Sequence, residues 1–156
     1  MPTPAADPEV TDRIEKRLEV AAPRSRVWRA LSDASEFGTW FGITLDGPFT
    51  PGATVRGRLR MPGWEHVTLE LRIGRVEPEG YFSYRWHPAA VDPGTDYSAE
   101  PMTLVEFVLE ETPSGTAITI IESGFDQLPA SRRVEAFRMN SSGWNGQSKK
   151  LAAHVS

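Results

Sequence analysis

The stretch Val134–Val155, VEAFRMNSSGWNGQSKKLAAHV, decides how the rest of the chain is read. Projected at 100° per residue from Val134, it places Phe137, Ser141, Trp144, Asn145, Ser148, Ala152 and Val155 on one face. Arg132, Glu135, Met139 and Lys150 fall largely on the other. A helix that only plugged a core would carry Leu or Ile where Ser141, Asn145 and Ser148 stand. Unpaired buried hydroxyls and amides cost roughly 1–3 kcal/mol each, so they require a partner, a water or a ligand. The pattern predicts a helix that lines a cavity.

Upstream, the chain supplies a sheet for that helix to lie against. Arg13–Val20 alternates as a first strand, and Ala21-Ala22-Pro23 ends it. Val27, Trp28, Ala30 and Leu31 then give a helical apolar face through Ser32, with a further turn or two over Ser35–Phe41. Five strand-like runs follow: Thr54–Met61, His66–Val76, Tyr81–His87, Thr103–Glu110 and Thr116–Ser123. Short turns join most of them, which predicts an antiparallel meander. Pro88–Pro101 is too long for a hairpin turn and is expected to be functional or mobile. Leu128-Pro129 opens the terminal helix, where Gly143 and Gly146 are potential bends or breaks. The expected class is α+β, with a curved antiparallel sheet gripping the long helix. Residues 1–11 are expected to be a flexible leader and residues 12–156 a single domain.

The residues of this frame resemble START-like (SRPBCC) helix-grip proteins. Leu18-Glu19-Val20 to Pro23, Val27–Leu31 and Trp40-Phe41 look like the opening of that superfamily. Gly115-Thr116, Ile118-Thr119-Ile120, Glu122-Ser123-Gly124-Phe125 and Gly143-Trp144 to Leu151 look like the close of one branch. That branch is similar to the C-terminal domain of the activator of heat-shock-protein-90 ATPase. The resemblance spans roughly Ile14 to Val155 and implies a hydrophobic cavity between sheet and helix. The superfamily includes lipid carriers, hormone receptors, aromatase/cyclases and resistance proteins, so it specifies fold better than function. The eukaryotic activator carries a separate N-terminal domain, for which 156 residues leave no room, so its chaperone-stimulating activity is not expected to transfer.

Composition narrows the function classes. With 39% hydrophobic and 24% charged residues the chain is an ordinary globular one, and a net charge of −4 argues against a nucleic-acid surface. No membrane span is expected, no disulfide or thiolate chemistry is possible without cysteine, and a cytoplasmic location is expected. His66, His87 and His154 show no metal-ligand spacing, and no phosphate-binding glycine loop or nucleophile elbow is present, so neither metal nor cofactor is expected.

Alternation proposes the cavity lining: Phe82, Tyr84 and Trp86 on one strand, Phe107 on the next, and Ile120 with Glu122 on the last. Ser141, Trp144, Asn145 and Ser148 add the helix's share. Most of these positions also suit an ordinary core. Glu122 is the sharpest polar candidate: once buried it needs a donor, for which Arg85, Arg72 and Trp86 are in reach. Arg56, Arg58, Arg60, Arg72, Arg75 and Arg85 form a basic outer stripe, most of them expected to form cross-strand pairs with Glu65, Glu70, Glu77 and Glu106. Trp64, at a hairpin tip, is a candidate portal lip or partner contact.

These readings favour a carrier of a small hydrophobic or aromatic molecule, as monomer or homodimer. The rivals are a polyketide cyclase- or hydrolase-like enzyme with Glu122 or His87 as acid/base, and a chaperone-associated module with a protein partner.

Overall fold

Alternating residues build each strand, and each strand turns one row of side chains inward. The computed structural model describes residues 12–92 and 94–156, so the expected leader at 1–11 lies outside the described residues. Strand β1 (Arg13–Val20) leads to helices α1 (Arg24–Ser32) and α2 (Ala34–Phe41). Strands β2 (Ile43–Leu45), β3 (Thr54–Leu59), β4 (Thr68–Glu77), β5 (Tyr81–Trp86), β6 (Thr103–Thr112) and β7 (Gly115–Ser123) follow, then a 3-10 turn at Phe125–Gln127 and helix α3 (Ala130–Val155). The sheet has seven strands in the order β1-β7-β6-β5-β4-β3-β2, all pairs antiparallel. This is the α+β helix-grip architecture, with α3 along the concave face of the curved sheet.

Local chemistry explains the corners. Asp33 caps α2 by accepting from the backbone N–H groups of Ser35 and Glu36, and Gly42 ends it at φ 91°. The positive φ at Gly42 favours glycine, and a Cβ there would also crowd Met61 Cγ at 3.1 Å. Pro129 precedes the first turn of α3, and its carbonyl accepts from the backbone N–H groups of Arg132 and Arg133. The concave face is closed by fully buried Phe37, Phe82, Tyr84, Phe107, Ile118 and Ile120. Phe82 and Phe107 stack at 6.0 Å, and Phe37 meets Tyr84 edge-on at 6.2 Å.

Three local expectations differ from the structure. Strand β2 was not foreseen, because three residues are too few for alternation to register. Gly143 and Gly146 do not split α3, which runs unbroken for 26 residues. Both are exposed, with open space where a Cβ would stand, and both border the hollow between α3 and the sheet. The inward arc of α3 is also turned roughly a quarter turn from the one projected from Val134. That residue is 45% exposed, and the buried positions are Ala136, Trp144, Gln147, Leu151 and Val155. Asn145 is therefore exposed, Ser141 is half-buried, and the Ser148 hydroxyl donates to the Asn145 carbonyl at 3.0 Å.

Candidate functional site

The strand register assembles one polar centre inside an apolar face. Trp86 stands opposite Thr103 across β5 and β6, and Val105 stands opposite Glu122 across β6 and β7. Because β-strand side chains alternate, Trp86, Thr103 and Glu122 all project to the concave side. Asn140 and Trp144, one helical turn apart on α3, meet them from above.

Glu122 is 0% exposed and accepts five hydrogen bonds. Its Oε1 accepts from Trp144 Nε1 at 2.8 Å and from Asn140 Nδ2 at 3.0 Å. Its Oε2 accepts from Trp86 Nε1 at 2.8 Å, Thr103 Oγ1 at 2.6 Å and Asn140 Nδ2 at 2.9 Å. Burial pushes the carboxyl pKa up, and these donors pull it back only in part, leaving it above its ordinary value. A shell made only of donors suits the ionised form. The nearby Tyr84 hydroxyl is fully buried without a partner, and its pKa is raised well above 10.0 by burial and then by Glu122.

Of the three donors expected for Glu122, Trp86 fills the role. Arg72 and Arg85 do not, because they face each other on the outer side of the sheet. The expected pairing of the outer stripe holds for Arg56 with Glu70. Elsewhere it differs: Arg75 pairs with Glu77 on its own strand, Arg58 donates to the Glu65 carbonyl, and Glu106 accepts from the Tyr81 hydroxyl.

Beside this centre, α3 and the sheet part to leave an open-mouthed hollow of about 450 Å³. The Trp86 and Trp144 indoles form one wall, stacked at 5.9 Å with 29° between planes. Phe41, Leu59, Met61, Leu69 and Met139 supply further apolar lining, and Trp64, 38% exposed, lies at its edge. One carboxylate thus holds both indole N–H groups and fixes both ring planes.

The Pro88–Pro101 connection forms another wall through Ala89, Ala90 and Val91. Arg132 of α3 fastens it. Its guanidinium makes bonds of 2.8 and 3.0 Å to Glu100, donates to the Pro88 carbonyl at 2.9 Å and lies 4.7 Å over the Tyr97 ring. His87 also lines the hollow, with its Nδ1 buried and unbonded; burial moves its pKa down. A larger depression of about 860 Å³ near Asp33, Thr39 and Asp46 mixes polar and apolar lining and has Phe49 as its one aromatic residue, without a stacked indole wall.

The proposed site residues therefore divide. Trp86 and Trp144 line the hollow and Glu122 stands behind them. Phe82, Tyr84, Phe107 and Ile120 lie in the sealed core, while Ser141, Asn145 and Ser148 lie off its lining. Sequence reasoning missed Asn140, Thr103, Gln147 and Lys150. The spacing Ala136, Asn140, Trp144, Gln147, Leu151, Val155 steps by four, four, three, four and four, and would have found two of them, Asn140 and Gln147.

Among the described residues no group of three or more His, Asp or Glu is arranged to hold a metal, and no helix is long and apolar enough to cross a membrane.

Comparison with known proteins bears on the fold and the family. A family model described as Activator of Hsp90 ATPase homolog 1-like protein matches residues 21–156. Protein MLL2253 from Mesorhizobium loti superposes with a TM-score of 0.72 at 24% identity, over 92% of this chain and 96% of that one. DynU16, from the dynemicin biosynthetic locus, gives 0.70 at 24% identity, over 92% of this chain and 47% of its own. This chain thus spans about half of DynU16. The Aha1 dimer from Colwellia psychrerythraea gives 0.70 at 15% identity, over 92% and 95%. At these identities the structural likeness is one of fold. A search of curated proteins found no match.

Proposed function

We propose that this chain, which belongs to the Activator of Hsp90 ATPase homolog 1-like family, binds a small hydrophobic or aromatic molecule between α3 and the sheet. The observation that carries this reading is the stacked Trp86–Trp144 wall, held by a buried carboxylate beside an apolar hollow of about 450 Å³. That volume falls in the usual range for small-molecule sites. Flat, rigid indoles give a ligand contact area without new ordering cost. Glu122 is a positioning residue in this account, since each of its oxygens already faces two or three donors.

Native mass spectrometry of freshly purified protein tests the reading. A retained small molecule, displaced when Trp144 becomes Ala, supports it. A molecule retained equally by a folded Trp144→Ala variant places the binding elsewhere.

His87 favours a second reading, as proton acceptor for a cyclase- or hydrolase-like reaction. Its imidazole lies at the rim of the hollow, and burial favours the neutral, accepting form. Hydrolysis of 2-naphthyl acetate above the buffer rate, lost in His87→Asn, is the expected result under this reading. Retained turnover in that variant removes His87. The domain at residues 12–156 is proposed to act in the cytoplasm as monomer or homodimer, and a protein partner docking at Trp64 would be lost on Trp64→Ala.

A further inference from the structure

The two ends of the hollow differ in charge. Behind the indole wall lies the Glu122 carboxyl. Lys150 lines the other end, just under two helical turns beyond Trp144 along α3, or roughly 9 Å along the helix axis. Its Nζ donates to the Phe41 carbonyl at 3.0 Å and lies 3.8 Å from Met61 Sδ. Neither partner carries a charge. Arg60 stands close by, donating to the Gly38 carbonyl at 2.9 Å and to Thr44 Oγ1 at 3.0 Å. Neither cation has a carboxylate partner among the described residues. Partial burial, and then Arg60, moves the Lys150 pKa down, as expected of a cation short of counter-charge. The residues lining the hollow include neither Asp nor Glu.

Resting on the binding role proposed above, we infer that the ligand is an amphipathic acid: an apolar or aromatic body against Trp86 and Trp144, with a carboxylate or similar anionic head at Lys150. Lys150 is exposed, but its ammonium is held at the Phe41 carbonyl beside the apolar lining, so an anionic head would meet a donor already positioned. The apolar stretch between wall and cation fixes the order of the ligand's parts. Lys150 is the one Lys or Arg among the described residues lining the hollow, so a head placed at the indole end would meet no cation.

Matched probes separate this inference from the binding role itself. Tryptophan fluorescence titrations at pH 7 would compare 2-naphthoate with 2-naphthalenemethanol, and dodecanoate with dodecanol. The wild-type chain is expected to prefer each acid by about tenfold, the worth of one good charge-assisted contact. Lys150→Met is expected to erase that preference. Lys150→Arg, which keeps the charge, retains the preference. Equal binding of acid and alcohol by the wild-type chain overturns the anionic head and leaves the apolar site standing. A preference that survives in Lys150→Met places the head away from Lys150 and overturns the assignment. Failure of all four probes to bind removes the binding role and this inference together.

Discussion

Two carboxylates tie α3 to the rest of the molecule, and they do so by opposite physics. Glu122, under the N-terminal half of the helix, is fully buried and is met by indole, amide and hydroxyl donors without a cation among them. Glu36, near the C-terminal end, is reached by Arg26 at 2.8 Å, Arg29 at 2.7 Å and His154 at 3.0 Å. Burial raises the pKa of both. At Glu122 neutral donors fail to cancel that effect, whereas at Glu36 the three partners more than reverse it, to about 2. The surface cluster is therefore an electrostatic clasp, and the buried one is a geometric frame that orients two tryptophans.

The comparison breaks most visibly at Glu122. Glu122→Leu leaves two indoles, an amide and a hydroxyl without an acceptor, and is expected to cost roughly 3–5 kcal/mol in a denaturant titration. A loss below about 1 kcal/mol would show that the frame is not holding α3. Glu122→Gln keeps one acceptor oxygen but turns an NH2 toward donors, so about 2 kcal/mol is expected, with the indole near-UV signal partly retained.

Arg132 is the intermediate case, an ion pair with Glu100 whose side chains are 20% and 18% exposed. Arg132→Ala is expected to cost about 1–2 kcal/mol and to speed amide exchange across the Pro88–Pro101 connection. Exchange that stays unchanged there would mean the wall does not depend on this pin.

Glu36→Gln is the smallest, about 1 kcal/mol, because solvent screens the clasp. Its signature is in pH. The folded pKa lies below the ordinary 4.5, so the stabilisation is full above pH 4.5 and is lost as pH falls through about 2. Glu122 has the opposite sign: its contribution is greatest below 4.5 and declines as pH rises through its raised folded value. Stability curves of the two Gln variants should diverge from wild type in opposite directions along the pH axis. Parallel curves would erase the distinction.

The sequence carried the frame more clearly than the site. Alternation through Ile118, Ile120 and Glu122 identified the buried acid, and Tyr84 and Trp86, two strands away in the sheet, identified a donor, because a period of two leaves no freedom in which face a residue takes. A helix leaves that freedom. Anchoring the projection at Val134, in a turn that the sheet does not cover, rotated the whole arc and brought in Ser141, Asn145 and Ser148 instead of Asn140 and Gln147. Thr103 was beyond reach for a different reason: its partner Glu122 lies on another strand, and only the register brings them together. The same projection put Lys150 on the opposite face, although its amine reaches the Phe41 carbonyl and the Met61 thioether beside the hollow.

The central claim is that a ligand rests against the Trp86–Trp144 wall. Nitrogen-15 NMR of the labelled chain titrated with 2-naphthoate tests it most directly, because each indole N–H gives its own signal. Saturable shifts of both the Trp86 and Trp144 indole signals, with Trp40 unmoved behind its 2.9 Å bond to the Ala30 carbonyl, are the predicted result. Saturable binding that leaves both indole signals in place would contradict it.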